Sequence, residues 1–369
     1  MKKCLFYILL LCLCGAPLAF SAEVTVAVIA PKAGENVKEG TELIAGAKLA
    51  VDELNTEGGL LKHKIDLLTV DDRCDDRLAV STAEMLSLLN SKKVVLVIGP
   101  YCAERYDDIA QIYEEGKIFQ IVPTTVALHA DDPEKKDKFI LLNTKTRLST
   151  DFFEFYNHNF AGLKVGFVYD STLSAGYEET AAELQTAFRR FGKAELLKFY
   201  PYTSHKSETK LAKRLKNDDI NVILIVGRTK YVTPIINASK DKNKNLIVFT
   251  NKKNLTPELI NNLSSNANGL YALDIADIKD DLGFTETLVN LRLSGASPEG
   301  LEAYGYTALK LWSELVKQTK KFDYSALINK VKTPEQQEKW QNFLMHSGKA
   351  DDVKYTIEMY KDGDFKQVY

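Results

Sequence analysis

Two hydrophobic periods alternate along the first third of the chain. Val24 to Ile29 is a short β-rich apolar run stopped by Pro31. Leu43, Ile44, Ala47, Ala50, Val51 and Leu54 then recur at helical spacing and mark one apolar face, which Gly58-Gly59 terminates. Ile65 to Val70 reads as a second strand, Ala79, Ala83, Leu86 and Leu89 as a second helix, and Val94 to Ile98 as a strand of the fully buried kind. A third helix is predicted over Ala103 to Tyr113 and a fourth strand over Ile118 to Val122, closed by Pro123. Strands alternating with amphipathic helices imply a parallel sheet covered on both faces.

The same rhythm restarts after Phe160. Val165 to Tyr169 reads as a strand, and Tyr177, Ala181, Leu184, Phe188 and Phe191 form another helical stripe. Val222 to Val226 and Leu246 to Thr250 are further buried strands. The stretch from Asn143 to Gly162 lacks Gly/Pro-rich linker character, so two closely packed α/β lobes are predicted rather than beads on a string. A long helix through Tyr304, Ala308, Leu311 and Leu315 follows, then a hairpin-like Tyr355 to Tyr369 around Gly363. Open parallel sheets bind ligands beyond the carboxyl ends of their strands. Those ends are Pro31 to Gly40, Asp71 to Asp75, Gly99 to Glu104 and Pro123 to Ala127 in one lobe. In the other they are Asp170 to Tyr177, Gly227 to Lys230 and Asn251 to Asn254. Two such rims facing each other make a cleft.

The N-terminus changes the meaning of the cysteines. Lys2 and Lys3, the apolar run Leu5 to Cys14 and the small-residue exit Ala19-Phe20-Ser21 have the anatomy of a cleaved secretory signal, assigned to 1–21. Of 5 cysteines, its removal leaves Cys74 and Cys102 in an oxidising compartment, where an isolated pair reads as a disulfide. The loop it closes is about 28 residues, for which the chain-entropy model gives roughly 3.5 kcal/mol. Leu11-Cys12-Leu13-Cys14 only loosely matches a lipid-attachment box, because Leu13 is not small. The formal charge is −2, and −4 once Lys2 and Lys3 are lost. With both signs interspersed, nothing points to nucleic acid or an anionic membrane.

Signatures of catalysis are poor. His63, His129, His158, His205 and His346 are scattered without metal-ligand spacing, so neither a metal nor a cofactor is expected. Ser207-x-x-Lys210 lies in a polar helix without companion motifs, and Gly34 to Gly40 lacks the Gly-Lys-Ser/Thr ending of a phosphate loop. Asn-x-Ser/Thr sites at Asn237, Asn254 and Asn262 would matter only in a eukaryotic secretory pathway.

Several segments in order resemble a known family. They are Ala50-Val51-Asp52-Glu53-Leu54-Asn55-Thr56-Glu57-Gly58-Gly59, Asp71 to Asp75, Val97-Ile98-Gly99-Pro100-Tyr101-Cys102 and Ile121-Val122-Pro123-Thr124-Thr125. Ala303-Tyr304-Gly305-Tyr306-Thr307-Ala308 and Lys361-Asp362-Gly363-Asp364 continue the match. The chain is similar to type I periplasmic solute-binding proteins, in the branched-chain amino acid (Leu/Ile/Val) branch of ABC-transporter receptors. The resemblance implies an α/β fold of two lobes, each a parallel sheet flanked by helices. Lobe one would hold 23–144 plus 276–347, and lobe two 145–275 plus 348–369. Hinge crossings would fall near Asn143 to Arg147, Asp274 to Asp277 and Met345 to Ala350. It further implies a monomer in the periplasm, a small-molecule ligand, and an ABC permease as partner. A membrane sensor is the alternative partner, and a scaffold without a ligand a third reading.

The expected ligand site departs from the amino-acid pattern of that family. Ala103, before Glu104, stands where a hydroxyl residue follows the second cysteine, and Thr124-Thr125-Val126 replaces a small-small-threonine run. Glu39 and Ala175 fall where aromatic residues are implied, Arg228 where a tyrosine is, and Lys252, within a position, where the acid pairing with the ammonium belongs. Tyr101 and Tyr177 are the aromatic candidates. An ammonium beside a lysine would be uncompensated at a cost of several kcal/mol. Two cations opposite the backbone N–H groups of Ala103 and Thr125 favour an anion, most simply a carboxylate with an uncharged or aromatic body. Glu39 is the awkward residue, and could instead pair with Arg228 or Lys252.

Overall fold

The computed structural model describes residues 22–34, 36–88, 94–102, 106–123, 139–140, 145–171, 176–203, 208–275, 285–295, 301–336 and 355–369. The first sheet is built from β1 (Ala22–Ile29), β2 (His63–Val70), β3 (Val94–Ile98), β4 (Phe119–Val122) and β5 (Phe139–Ile140). Its order is β2-β1-β3-β4-β5 and every pairing is parallel. Registers such as Val24 against Ile65 and Val28 against Ile98 place β-branched residues side by side in the core. Helix α1 (Val37–Thr56) buries the face expected of it, and α2 (Asp76–Leu88) packs with α3 (Tyr106–Glu115) through Ala79, Ala83, Leu86, Ile109 and Tyr113.

The second sheet restarts after α4 (Lys145–Asn159). It contains β6 (Val165–Asp170), β7 (Leu197–Tyr202), β8 (Val222–Val226), β9 (Ile247–Asn251) and β10 (Leu270–Ile275). Between them run α5 (Gly176–Arg190), α6 (Glu208–Asn217), α7 (Thr229–Lys242) and α8 (Pro257–Leu263). The parallel part has the order β7-β6-β8-β9-β10, the same arrangement as the first sheet. The chain then returns to the first sheet with α9 (Thr285–Leu293), α10 (Glu302–Thr319) and α11 (Tyr324–Val331). It ends on the second, where β11 (Tyr355–Lys361) pairs antiparallel with β10 and β12 (Asp364–Gln367) with β11. Asp362 and Gly363 carry positive φ at that turn.

Each sheet has its own core. Residues Val24 to Ile121 pack with Leu288 to Val331 on one, and Leu148 to Leu273 with Tyr355 and Ile357 on the other. The second core is aromatic: Phe249 stacks on Tyr271 with centroids 4.5 Å apart, and Phe152 and Phe155 meet Phe249 edge-on. The expected crossings near 143–147, 274–277 and 345–350 fall mostly outside the described residues, as do the signal segment and the start of the third predicted helix. The stretch around Asn143 to Gly162, read only as non-linker, is largely the helix α4. Among the described residues no helix is long and apolar enough to cross a membrane.

Candidate ligand-binding cleft

In both sheets the strand order reverses beside the first strand, at β1/β3 and at β6/β8. Such switch points leave a crevice beyond the strand ends. A glycine follows the inner strand at each. Gly99, after β3, has φ +113°, and a Cβ there would lie 2.3 Å from the Ile29 carbonyl oxygen. Gly227, after β8, has φ +143°, and a Cβ would lie 2.1 Å from the Tyr202 hydroxyl. No side chain fits at either point, so the rims can be drawn close to the sheet.

On lobe one the rim carries the disulfide. Cys74 and Cys102 are bonded with their Cα atoms 5.3 Å apart, inside the range expected of a bridge. Asp71 and Asp72 build the turn before Cys74: Asp71 Oδ1 accepts from the Lys32 and Arg73 N–H groups, and Asp72 Oδ1 from the Cys74 N–H. Asp72 is buried, its Oδ2 has no hydrogen-bond partner among the described residues, and burial pushes its carboxyl up to about 6. Tyr101 packs partly buried against the lobe-one core. Its phenol is pushed well above the usual value, first by burial and then by the charges of Glu39, Glu42 and Asp274. Asp274 is the penultimate residue of β10 in the second sheet, so Tyr101 stands within electrostatic reach of both lobes. Glu39, partly exposed in the first turn of α1, forms no ion pair among the described residues and does not neutralise either expected cation.

On lobe two the expected pair of unpaired cations does not hold. Arg228 Nε and Nη2 both donate to Asp170 Oδ2, at 3.2 and 3.0 Å, and the Asp170 side chain is fully buried. The guanidinium also lies over the Tyr231 ring at 5.1 Å. Tyr202 sits beneath this pair with its hydroxyl 3.3 Å from the Val226 carbonyl, and burial and Asp170 raise its pKa well above normal. Tyr177, partly buried, packs on the lobe-two core nearby. Lys252 reaches Glu358 on β11 at 2.8 Å, so its charge ties the returning strand to the sheet. The physical reason is common to both: a β-strand carboxylate distant in sequence is brought alongside by the sheet, and each cation is compensated.

The structure therefore groups Glu39 with Tyr101 on one rim and Arg228 with Tyr177 on the other, and turns Lys252 toward β11. Ala103, Glu104, Thr124, Thr125, Val126 and Ala175 lie outside the described residues. Asp170, Asn36 and Lys253 lie within the strand-end segments that the sequence marks, but nothing in the sequence singles them out from their neighbours. Lys253 Nζ donates to Asn36 Oδ1 at 3.2 Å and joins the rims of the two lobes. Asn254, a formal glycosylation site, is buried, with its amide donating to Thr250 Oγ1 and accepting from Thr229 Oγ1.

Residues 23–344 match the family model described as periplasmic binding protein. An amino acid binding protein of Pseudomonas aeruginosa is 22% identical over 300 residues, spanning 78% of this chain and 77% of its own. The Leu/Ile/Val-binding protein homolog 1 of Brucella abortus is 22% identical over 296 residues, spanning 80% and 78%. Among solved structures, a leucine binding protein from Thermotoga maritima superposes with TM-score 0.70 at 18% identity, over 94% of this chain and 98% of that one. A solute binding protein from R. palustris in complex with 4-hydroxybenzoate gives TM-score 0.71 at 14% identity, over 94% and 96%. At these identities the structural likeness speaks for the fold alone.

Proposed function

The chain belongs to the periplasmic binding protein family, and on that premise we propose that it captures a small organic solute between its lobes and presents the closed, loaded form to an ABC importer. The observation that carries this reading is the pair of matching switch points whose rims meet at Asn36 and Lys253. The lobes are 23–144 plus 276–347 and 145–275 plus 348–369, with hinges at the crossings near 143–147, 274–277 and 345–350. Three strands of chain through one hinge restrict the motion to opening and twisting. A ligand touching both rims makes more contacts in the closed form, and that difference shifts the equilibrium toward closure.

The ligand class we infer is a carboxylate with an uncharged or aromatic body, not a branched-chain zwitterion. Arg228 is the residue that meets it. Asp170 and Tyr231 fix the guanidinium in advance, which lowers the ordering cost of a planar hydrogen-bonded contact. Asp170 brings its own charge, so the acid is held by directed hydrogen bonds more than by net attraction. The partly buried tyrosines at 177 and 231 supply flat apolar surface beside it, and buried Tyr202 backs the pair from the core. The 4-hydroxybenzoate bound by the R. palustris protein is an instance of such a solute on this fold.

Thermal stability against leucine, isoleucine, valine, benzoate and 4-hydroxybenzoate tests the reading. A ligand at 100 times its dissociation constant adds about 2.7 kcal/mol. The aromatic acids are expected to raise the melting midpoint and the amino acids to leave it unchanged; stabilisation by micromolar leucine would overturn the ligand class. Arg228→Ala alone would remove the cation that compensates the buried Asp170 carboxylate, at a cost of about 3–5 kcal/mol. The variant to compare is therefore the double Asp170→Asn, Arg228→Gln, expected to fold and to lose the response to acids. A full response in that double variant would remove Arg228 from the site.

A further inference from the structure

Asn36 occupies the N-cap of α1 with φ −107° and ψ 25°, yet its side chain makes no capping hydrogen bond. An asparagine there normally accepts from an N–H two or three residues ahead, which stabilises the helix by about 1 kcal/mol. Here the amide is directed elsewhere at both ends. Nδ2 donates to Cys74 Sγ at 3.3 Å, and Oδ1 accepts from Lys253 Nζ at 3.2 Å. The two ends are assigned by chemistry: an ammonium only donates, so the oxygen must face Lys253 and the NH2 group falls to the sulfur.

Both partners are held by the fold. Cys74 is fixed by the disulfide to Cys102 and by the Asp72 bond to its N–H, in a turn where Arg73 and Cys74 both have positive φ. Lys253 stands in a single 3-10 turn, Lys252–Asn254. The next residue, buried Asn254, is bonded to Thr250 and Thr229, and its carbonyl accepts from Thr233. The preceding residue, Lys252, is tied to Glu358. Lys253 has no acidic partner among the described residues, so its hydrogen bond to Asn36 is the contact the side chain makes across the cleft.

We propose that Asn36 and Lys253 form a latch across the cleft, with the Asn36 amide positioned by the disulfide, and that this latch biases the ligand-free protein toward the closed form. The inference rests on hinge closure as the working motion and adds what regulates it. An exposed hydrogen bond of this kind contributes only a modest factor, about fivefold in the ratio of closed to open protein. That is small enough for a ligand to remain decisive, and it sets the resting position of the hinge. Such a bias lowers the free-energy cost of closure that the ligand's contacts must meet.

The full chain without ligand tests the latch. Spin-labelled noncanonical residues at Glu57 and Lys213, both exposed and one on each lobe, report the distance between lobes by electron–electron resonance without touching the cysteines. Lys253→Met and Asn36→Ala are each expected to shift the closed population toward long distances by roughly threefold to tenfold. The double variant should shift it no further than either single one, because one bond is lost in all three. Cys74→Ser with Cys102→Ser should reproduce part of the shift while leaving Lys253 intact. Unchanged distances in both single variants, or additive shifts in the double one, would overturn the latch. A wild-type protein with a single distance that saturating benzoate and 4-hydroxybenzoate leave unmoved would instead overturn hinge closure on such acids, so the two failures are distinguishable.

Discussion

Asp72 shows what a single buried carboxylate costs this fold. Its Oδ1 is used by the Cys74 N–H, while Oδ2 is buried without a partner among the described residues. Burial raises its pKa from 3.8 to about 6. The ionised form is disfavoured in the folded protein, so the stability it contributes is fully present below pH 4 and is lost as pH rises through 6. Asp72→Asn keeps the acceptor for Cys74 and cannot ionise. It is expected to raise stability at pH 7 by about 1–3 kcal/mol, with the gain fading below pH 4. Denaturant titrations at pH 4, 5.5 and 7 check this, and a gain independent of pH would show that charge is not the cause. The same scale explains why part of the site was illegible in sequence. Arg228 and Lys252 stand just past the ends of β8 and β9, but their partners Asp170 and Glu358 lie 58 and 106 residues away. Lys240 is a further case: fully buried, it donates to the carbonyls of Asn268 and Lys244, and burial lowers its pKa to about 8. Nothing local to its sequence announces a core lysine.

Between elements of lobe one, α1 and α10 cross with backbone against backbone. A Cβ on Gly46 would lie 1.8 Å from the Glu302 carbonyl oxygen, and one on Gly305 2.1 Å from that of Leu43. Backbone touches backbone here, and glycine is retained in two helices although it costs each about 1 kcal/mol relative to alanine. Gly305→Ala would gain that propensity and lose far more by prising the helices apart. A net loss of roughly 3 kcal/mol is expected in chemical denaturation, against less than about 0.5 kcal/mol for Lys48→Ala on the exposed face of α1. Equal effects of the two would sink the close-packing account. Elements with a strong period were legible: the apolar stripe of α1 and the strands β3 and β8 are where periodicity placed them. Those that escaped were weakly patterned. Strand β7 carries Lys198 and Pro201 and, among the described residues, pairs on one side only, while α7 holds Pro234 within it. Strand β10 is an ordinary mixed run whose place follows from pairing with β9 and β11.

For the whole molecule, core clusters separate for each lobe and the Cys74–Cys102 disulfide divide the stability unequally among the described residues. The packed residues of lobe one and lobe two form distinct clusters, and Cys74–Cys102 joins the β2 and β3 ends of lobe one alone. Its loop spans 28 residues, for which the entropy of the unfolded chain accounts for roughly 3.5 kcal/mol. That stabilisation belongs to the folding of lobe one, because no part of the second sheet lies within the loop. Reduction of the disulfide, or Cys74→Ser with Cys102→Ser, is therefore expected to lower one of two calorimetric transitions and leave the other in place. Hydrogen exchange read by mass spectrometry assigns them. Amides of β1 to β4 should lose protection by about two orders of magnitude, while those of β6 to β10 keep theirs. Loss spread evenly over both sheets would mean that the lobes fold as one cooperative unit and that the disulfide's stabilisation is not confined to lobe one.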